Sequence, residues 1–165
     1  MRTDAHSWLE CTDVDGDQCR GYQRGWSPNH IDTDMTYRIL DRKNVPACFP
    51  GRQDSSAKYT PGFPMAKARA GQRLTFTYLE NGHVTKDKLP DKPNPKSYTV
   101  HWSSTANVDT IKMRSDLTAA NQLGAAQPFD DGQCSEDGQQ PGRVKRPCRG
   151  SFTIPANATP GRHQF

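Results

Sequence analysis

The chain is short of apolar and aromatic residues. Of its 165 residues, 32% are hydrophobic and 8% are Phe, Trp or Tyr, and the mean hydropathy is −0.94. No apolar run approaches the ~20 residues that a membrane-spanning helix needs, so no membrane partner is expected. A disordered chain can have the same low apolar content, but here the apolar residues gather in short alternating runs divided by turns, which disordered chains rarely show. Paired CxxC spacings are missing, which removes the usual structural zinc sites. No Ser-His-Asp or Cys-His constellation stands out. Asp130 and Asp131 are adjacent, so in a strand they point apart and do not form a glycosidase pair by spacing. A basic stripe interleaved with aromatics is also missing, so nucleic acid is not an expected partner. The net charge of +4 comes from Lys and Arg scattered among Asp and Glu, which permits a polyanionic partner without requiring one.

What the chain does have is turn chemistry. With 13 Gly and 13 Pro spread through it, it reads as a loop-rich β domain rather than a helical bundle. Residues 73–79 alternate, with Leu74, Phe76 and Tyr78 on one face and Thr75 and Thr77 on the other, and this is the clearest strand. Asn81-Gly82 ends it, and 86–96, with Pro90, Pro93 and Pro95, cannot continue a sheet interior. Further strands are expected at 97–103, 108–113, 150–154 and 162–165, and one helical turn at 35–40. Short strands at turn-punctuated intervals predict an all-β fold, an immunoglobulin-like or fibronectin-like antiparallel β-sandwich with long loops. One domain is expected over 6–165. The run from Arg162 stops after four residues where a strand normally takes about five or six, so a last strand is expected to continue beyond Phe165.

Five cysteines, Cys11, Cys19, Cys48, Cys134 and Cys148, favour disulfides over reduced thiols. Cys134 and Cys148 flank the Gly- and Gln-rich stretch 135–147 and are expected to close it as a loop. Cys48 is expected to pair with Cys19 or with Cys11, Cys19 being preferred, and the odd cysteine then needs a partner outside this chain. Asn157-Ala-Thr159 is a glycosylation sequon, consistent with a secreted, extracellular protein. Ala5 before His6 looks like the tail of a removed leader, so residues 1–5 read as a remnant and His6 as the mature N-terminus. A terminal histidine offers its α-amine and an imidazole nitrogen together. Copper(II) favours such a tetragonal nitrogen set.

His83 follows the clearest strand in Tyr78-Leu-Glu-Asn-Gly-His83-Val-Thr, a position that presents a ring on a rigid support. Amine and ring of His6 with the ring of His83 would make a T-shaped set of three nitrogens with open positions, a redox copper site rather than a structural zinc site. His6-Ser-Trp-Leu-Glu-Cys11, the His83 segment and Phe129-Asp-Asp-Gly-Gln-Cys134, in this order, resemble secreted lytic polysaccharide monooxygenases. The nearest are the oomycete pectin-active family and related fungal secreted proteins that share the Asn-Gly-His-Val-Thr pattern. The resemblance implies a copper histidine brace of His6 and His83 on an immunoglobulin-like sandwich, oxidising a glycosidic C–H bond. It further implies a polysaccharide substrate, with anionic pectin nearest, an external electron donor, and a monomer. In that family an axial aromatic follows a Pro-Gly-x-x segment, here Pro160-Gly161-Arg162-His163, so the axial residue is expected beyond Phe165. With residues 1–5 still attached, the nitrogen of His6 is an amide, and the chain as written is expected to lack a complete site.

Trp8, Tyr78 and Glu80 lie near the two histidines in sequence and are candidates for the substrate contact surface or for support of the ligands. Alternation favours the core for Tyr78, while Trp8 stays open between core and surface, and Trp8 and Glu80 remain the substrate-contact candidates. His30, His101 and His163 read as solvated or locally hydrogen-bonded. Asp13-Val-Asp-Gly-Asp17 begins like a calcium loop but has Gln18 where the loop needs Gly and Arg24 where it needs Glu, so no calcium site is expected. Arg143-Val-Lys-Arg146 could meet an anionic polymer, although between two disulfide cysteines it reads first as a solvated loop. Two other functions fit these residues: a copper-binding protein that oxidises no sugar, and a non-catalytic carbohydrate-binding protein on the same fold.

Overall fold

The structure, a computed structural model, describes residues 8–26, 44–50, 59–80, 83–84 and 95–165. His6, His30, the expected helical turn at 35–40, Asn81-Gly82 and most of 86–96 lie outside the described residues. The described part is almost entirely strand, turn and loop. Its only helical pieces are two single 3₁₀ turns, Arg114–Asp116 and Ala119–Asn121.

The centre is β4 (Arg73–Leu79), flanked antiparallel by β1 (Trp8–Cys11) and β9 (Cys148–Thr153) in the order β1-β4-β9. β4 takes this place because its two faces both find cover. Phe76 and Tyr78 meet Tyr98 on one side, at ring-centroid distances of 5.4 and 6.0 Å. Thr77, on the other face, is also buried, and β2 (Asp13–Asp15) packs against the strand. β2 turns at Gly16-Asp17 into β3 (Gln18–Gly21), where Gly16 takes a φ of 59° that costs a glycine little. β5 (Ser97–Tyr98) pairs with β6 (Gln127–Pro128), and β7 (Cys134–Ser135) runs parallel to β8 (Val144–Lys145). The core cluster is Tyr78, Val84, Phe129, Cys134 and Cys148, with Phe76 packed against it. It therefore sits at the C-terminal end of β4, directly under His83.

Two disulfides staple this all-β fold. Cys134 and Cys148 are bonded, with Cα atoms 4.8 Å apart, closing 135–147 as expected. The other pairing differs from expectation. Cys19 bonds Cys11, with Cα atoms 5.8 Å apart, and not Cys48. The reason is the short β2–β3 hairpin, whose return strand brings Cys19 back beside the end of β1, where Thr12 N–H donates to the Gly21 carbonyl. Cys48 stays outside both disulfides and keeps its thiol, in hydrogen-bond contact with Gln164. Burial pushes that thiol up, ahead of the opposing pull of Arg24.

Three expected strands are reduced. Of 97–103 only Ser97 and Tyr98 are strand, while 100–102 run beside 121–123 through a bridge at His101 and bonds at Val100 and Trp102. In 108–113 only Met113 bridges, to Pro46. The Gln164 side chain takes the place of a partner strand here, its Oε1 accepting from Ile111 N–H at 3.0 Å and its Nε2 donating to the Ile111 carbonyl at 2.6 Å. Residues 162–165 form no strand, because their carbonyls accept from Ser103 and Asn107 N–H in an irregular loop.

Candidate metal centre

β4 carries the chain to Leu79 and then into Glu80, His83 and Val84. The His83 N–H donates to the Glu80 carbonyl at 3.1 Å. The Val84 N–H donates to Glu80 Oε2 at 2.8 Å, and Val84 itself is buried in the core cluster. The His83 ring lies half-buried with its plane at 81° to Phe129, centroids 6.2 Å apart. Phe129 is held in turn by Tyr78, whose hydroxyl donates to its carbonyl. Burial raises the Tyr78 phenol well above its ordinary value, so it stays a donor.

His83 Nδ1 is buried and has no hydrogen-bond partner among the described residues. The other histidines among the described residues differ. His101 has Asn121 Oδ1 2.8 Å from Nδ1 and Thr99 Oγ1 3.0 Å from Nε2. His163 has the carbonyls of Ser103 and Thr159, each at 2.8 Å. Those two rings are locally hydrogen-bonded, as expected, and their nitrogens are committed. Leaving a buried polar atom unpaired costs ~1–3 kcal/mol, and such an atom in a folded chain calls for an explanation. Other buried atoms, Thr12 Oγ1 and Arg162 Nε among them, are likewise without a partner among the described residues, but of these groups the imidazole is the one with the chemistry of a metal ligand.

Trp8 sits at the same end of the sheet, opposite Leu79 in the β1–β4 register. It is half-buried, and its Nε1 donates to Glu10 Oε1 at 2.5 Å. Tyr78 is core, as alternation predicted. Of the two places expected for Glu80, substrate contact or support of the ligands, burial removes the first: it is 2% exposed, and its carboxylate is taken up by the N–H groups of Val84 and Glu136. A polymer cannot reach it. The residues that sequence reasoning missed are Phe129, which backs the His83 ring, and Val84, which roots the turn. In the sequence Phe129 stands out only as the first residue of the 129–134 motif, and the apolar character of the residue directly after His83 is the signal for Val84.

The acidic and basic candidates are used internally. Asp131, Cys134 and Cys148 bring possible ligand atoms within 4.8 Å of one another, but both sulfurs are in the disulfide. Asp131 also accepts from the N–H groups of Cys134, Gln133 and Arg149 and pairs with Arg146 at 3.1 Å. Arg143 grips Asp130 with two bonds of 2.5 and 2.9 Å. The 143–146 cluster is therefore tied to the Asp130-Asp131 pair. In the apparent calcium motif, Asp13 and Asp15 meet Arg20, and Asp17 meets Arg149, on an ordinary hairpin. Asn157 of the sequon is exposed.

Fold and site together define an all-β, disulfide-stapled domain in which, among the described residues, the imidazole past the end of the central strand has a nitrogen with no hydrogen-bond partner. A protein-family model described as a domain of unknown function, DUF7492, matches residues 3–163, and the chain belongs to that family. No curated protein and no solved structure matches the chain.

Proposed function

We propose that this protein is a secreted, copper-dependent enzyme that oxidatively cleaves glycosidic bonds in a plant cell-wall polysaccharide, with pectin as the leading substrate, acting after processing exposes His6. The observation that supports the reading is the buried Nδ1 of His83, which has no hydrogen-bond partner among the described residues, whereas both ring nitrogens of His101 and of His163 are committed. The register adds support. Trp8 pairs with Leu79, and His6 is two residues before Trp8 while His83 is four after Leu79, spans of at most ~7 and ~14 Å. His6 would contribute its terminal amine and ring, and His83 its ring, to a three-nitrogen set.

Copper, when bound, supplies the redox chemistry that oxidises a C–H bond with dioxygen or peroxide and an external electron donor. The chain's own residues hold the ring still: Glu80 and Val84 fix the backbone on either side of it, and Phe129 limits its rotation. The core cluster beneath provides the rigid base that such a site needs. With Glu80 buried and Arg143 and Arg146 paired, Trp8 is the remaining substrate-contact candidate of the original set.

The test is a copper titration of the chain opened at His6, followed by product mass spectrometry on a panel of polymers that includes homogalacturonan. One tightly held copper and oxidised oligosaccharides are expected. Copper binding without any product would move the assignment to a non-catalytic copper protein. No copper binding would remove both and leave a carbohydrate-binding domain.

A further inference from the structure

Glu80 is a carboxylate that the fold buries at a cost, and two of its hydrogen bonds hold the backbone on either side of His83. The two peptide units flanking His83 both end on this one residue: the His83 N–H on the Glu80 carbonyl at 3.1 Å, the Val84 N–H on Glu80 Oε2 at 2.8 Å. The other carboxylate oxygen, Oε1, accepts from Glu136 N–H at 3.1 Å. Glu136 lies in the loop closed by the Cys134–Cys148 disulfide, and the Arg143 guanidinium on the same loop feels the Glu80 charge. We propose that Glu80 is a positioning residue, whose carboxylate fastens the turn bearing His83 to the disulfide-closed loop and so sets where the imidazole points. With both neighbouring peptides held, the ring keeps only its side-chain torsions, and the edge contact with Phe129 restricts those. A ring fixed in this way keeps Nδ1 from swinging to a polar neighbour. Its role toward copper rests on the function proposed above, whereas the orientation of the ring belongs to the metal-free chain.

Nitrogen-15 NMR of the imidazole rings in metal-free, histidine-labelled protein tests this, with His83→Ala identifying the His83 signals. In Glu80→Ala the His83 ring signals should shift and broaden while those of His101 and His163 stay in place. Glu80→Gln keeps one acceptor oxygen and should fall between. An unmoved His83 ring in either folded variant overturns the proposal, and if Glu80→Ala does not fold, Glu80→Gln decides. In the copper arm, with wild type and variants alike opened at His6, Glu80→Gln should bind copper(II) about tenfold more weakly with an altered paramagnetic resonance spectrum, and equal affinity with an unchanged spectrum would overturn its role toward the metal. Wild type that binds no copper, or His83→Ala that binds it equally well, would sink the copper reading while the ring signals still judge Glu80.

Discussion

Replacing His83 by alanine separates its chemistry from its packing. The ring makes an edge contact with Phe129 and, among the described residues, no hydrogen bond through Nδ1, so stability should change little. On the copper function proposed above, affinity for copper in the chain opened at His6 should fall by more than the ~10–100-fold typical of losing an outer partner, as read by titration calorimetry. Asp131 is the opposite kind of residue, a structural one with a pH signature. Burial pushes its carboxyl up, but the N–H groups of Cys134, Gln133 and Arg149 and the charge of Arg146 outweigh that, and the net shift is down. A carboxyl depressed on folding contributes stability that is present above its unfolded value of about 3.9 and lost as pH falls through its folded value. Urea unfolding should therefore show wild type weakening below about pH 5. Asp131→Asn should be weaker at pH 7 and fall less steeply. The place of His83 a few residues past β4 was legible because the strand's alternation stops at Leu79; the burial of Glu80 was not, because its partner Glu136 is 56 positions away.

β4 was readable to its last residue, since alternation and β-favouring residues agree over Arg73–Leu79. Its neighbour β9 depends on a glycine that only the packed sheet explains. Gly150 lies opposite Phe76, and a Cβ there would meet Phe76 Cε2 at 2.8 Å and press on Phe76 Cζ and the Tyr98 hydroxyl. Phe76 has little room to move, being packed by Tyr78, Tyr98 and Phe152. Gly150→Ala should therefore cost about 1–3 kcal/mol, the usual penalty for overpacking, measured as a lowered urea midpoint with the slope unchanged. Residues 108–113 show the reverse case. Their apolar pattern predicts a strand, but a side-chain amide from Gln164 supplies the pairing at Ile111, and no local pattern announces a side chain that substitutes for a backbone.

With a small core, the molecule relies on its covalent links. The Cys134–Cys148 bond closes a loop with a sequence separation of 14, for which restriction of the unfolded chain contributes about 3 kcal/mol. Cys134→Ala/Cys148→Ala should lose about that much in denaturant unfolding, and because both cysteines belong to the cluster under His83, the proposed copper function requires that copper binding weaken with it. Composition and periodicity were enough to establish an all-β, disulfide-stapled class, the central strand and the closure of 135–147, because each depends on signals within a few residues or on paired cysteines flanking one loop. Which cysteine joins Cys19, what buries Glu80 and which histidine keeps a bare nitrogen were decided only in three dimensions. Each of those outcomes depends on which atoms from distant segments come within bonding distance, and that distance exists only once the sheet is packed.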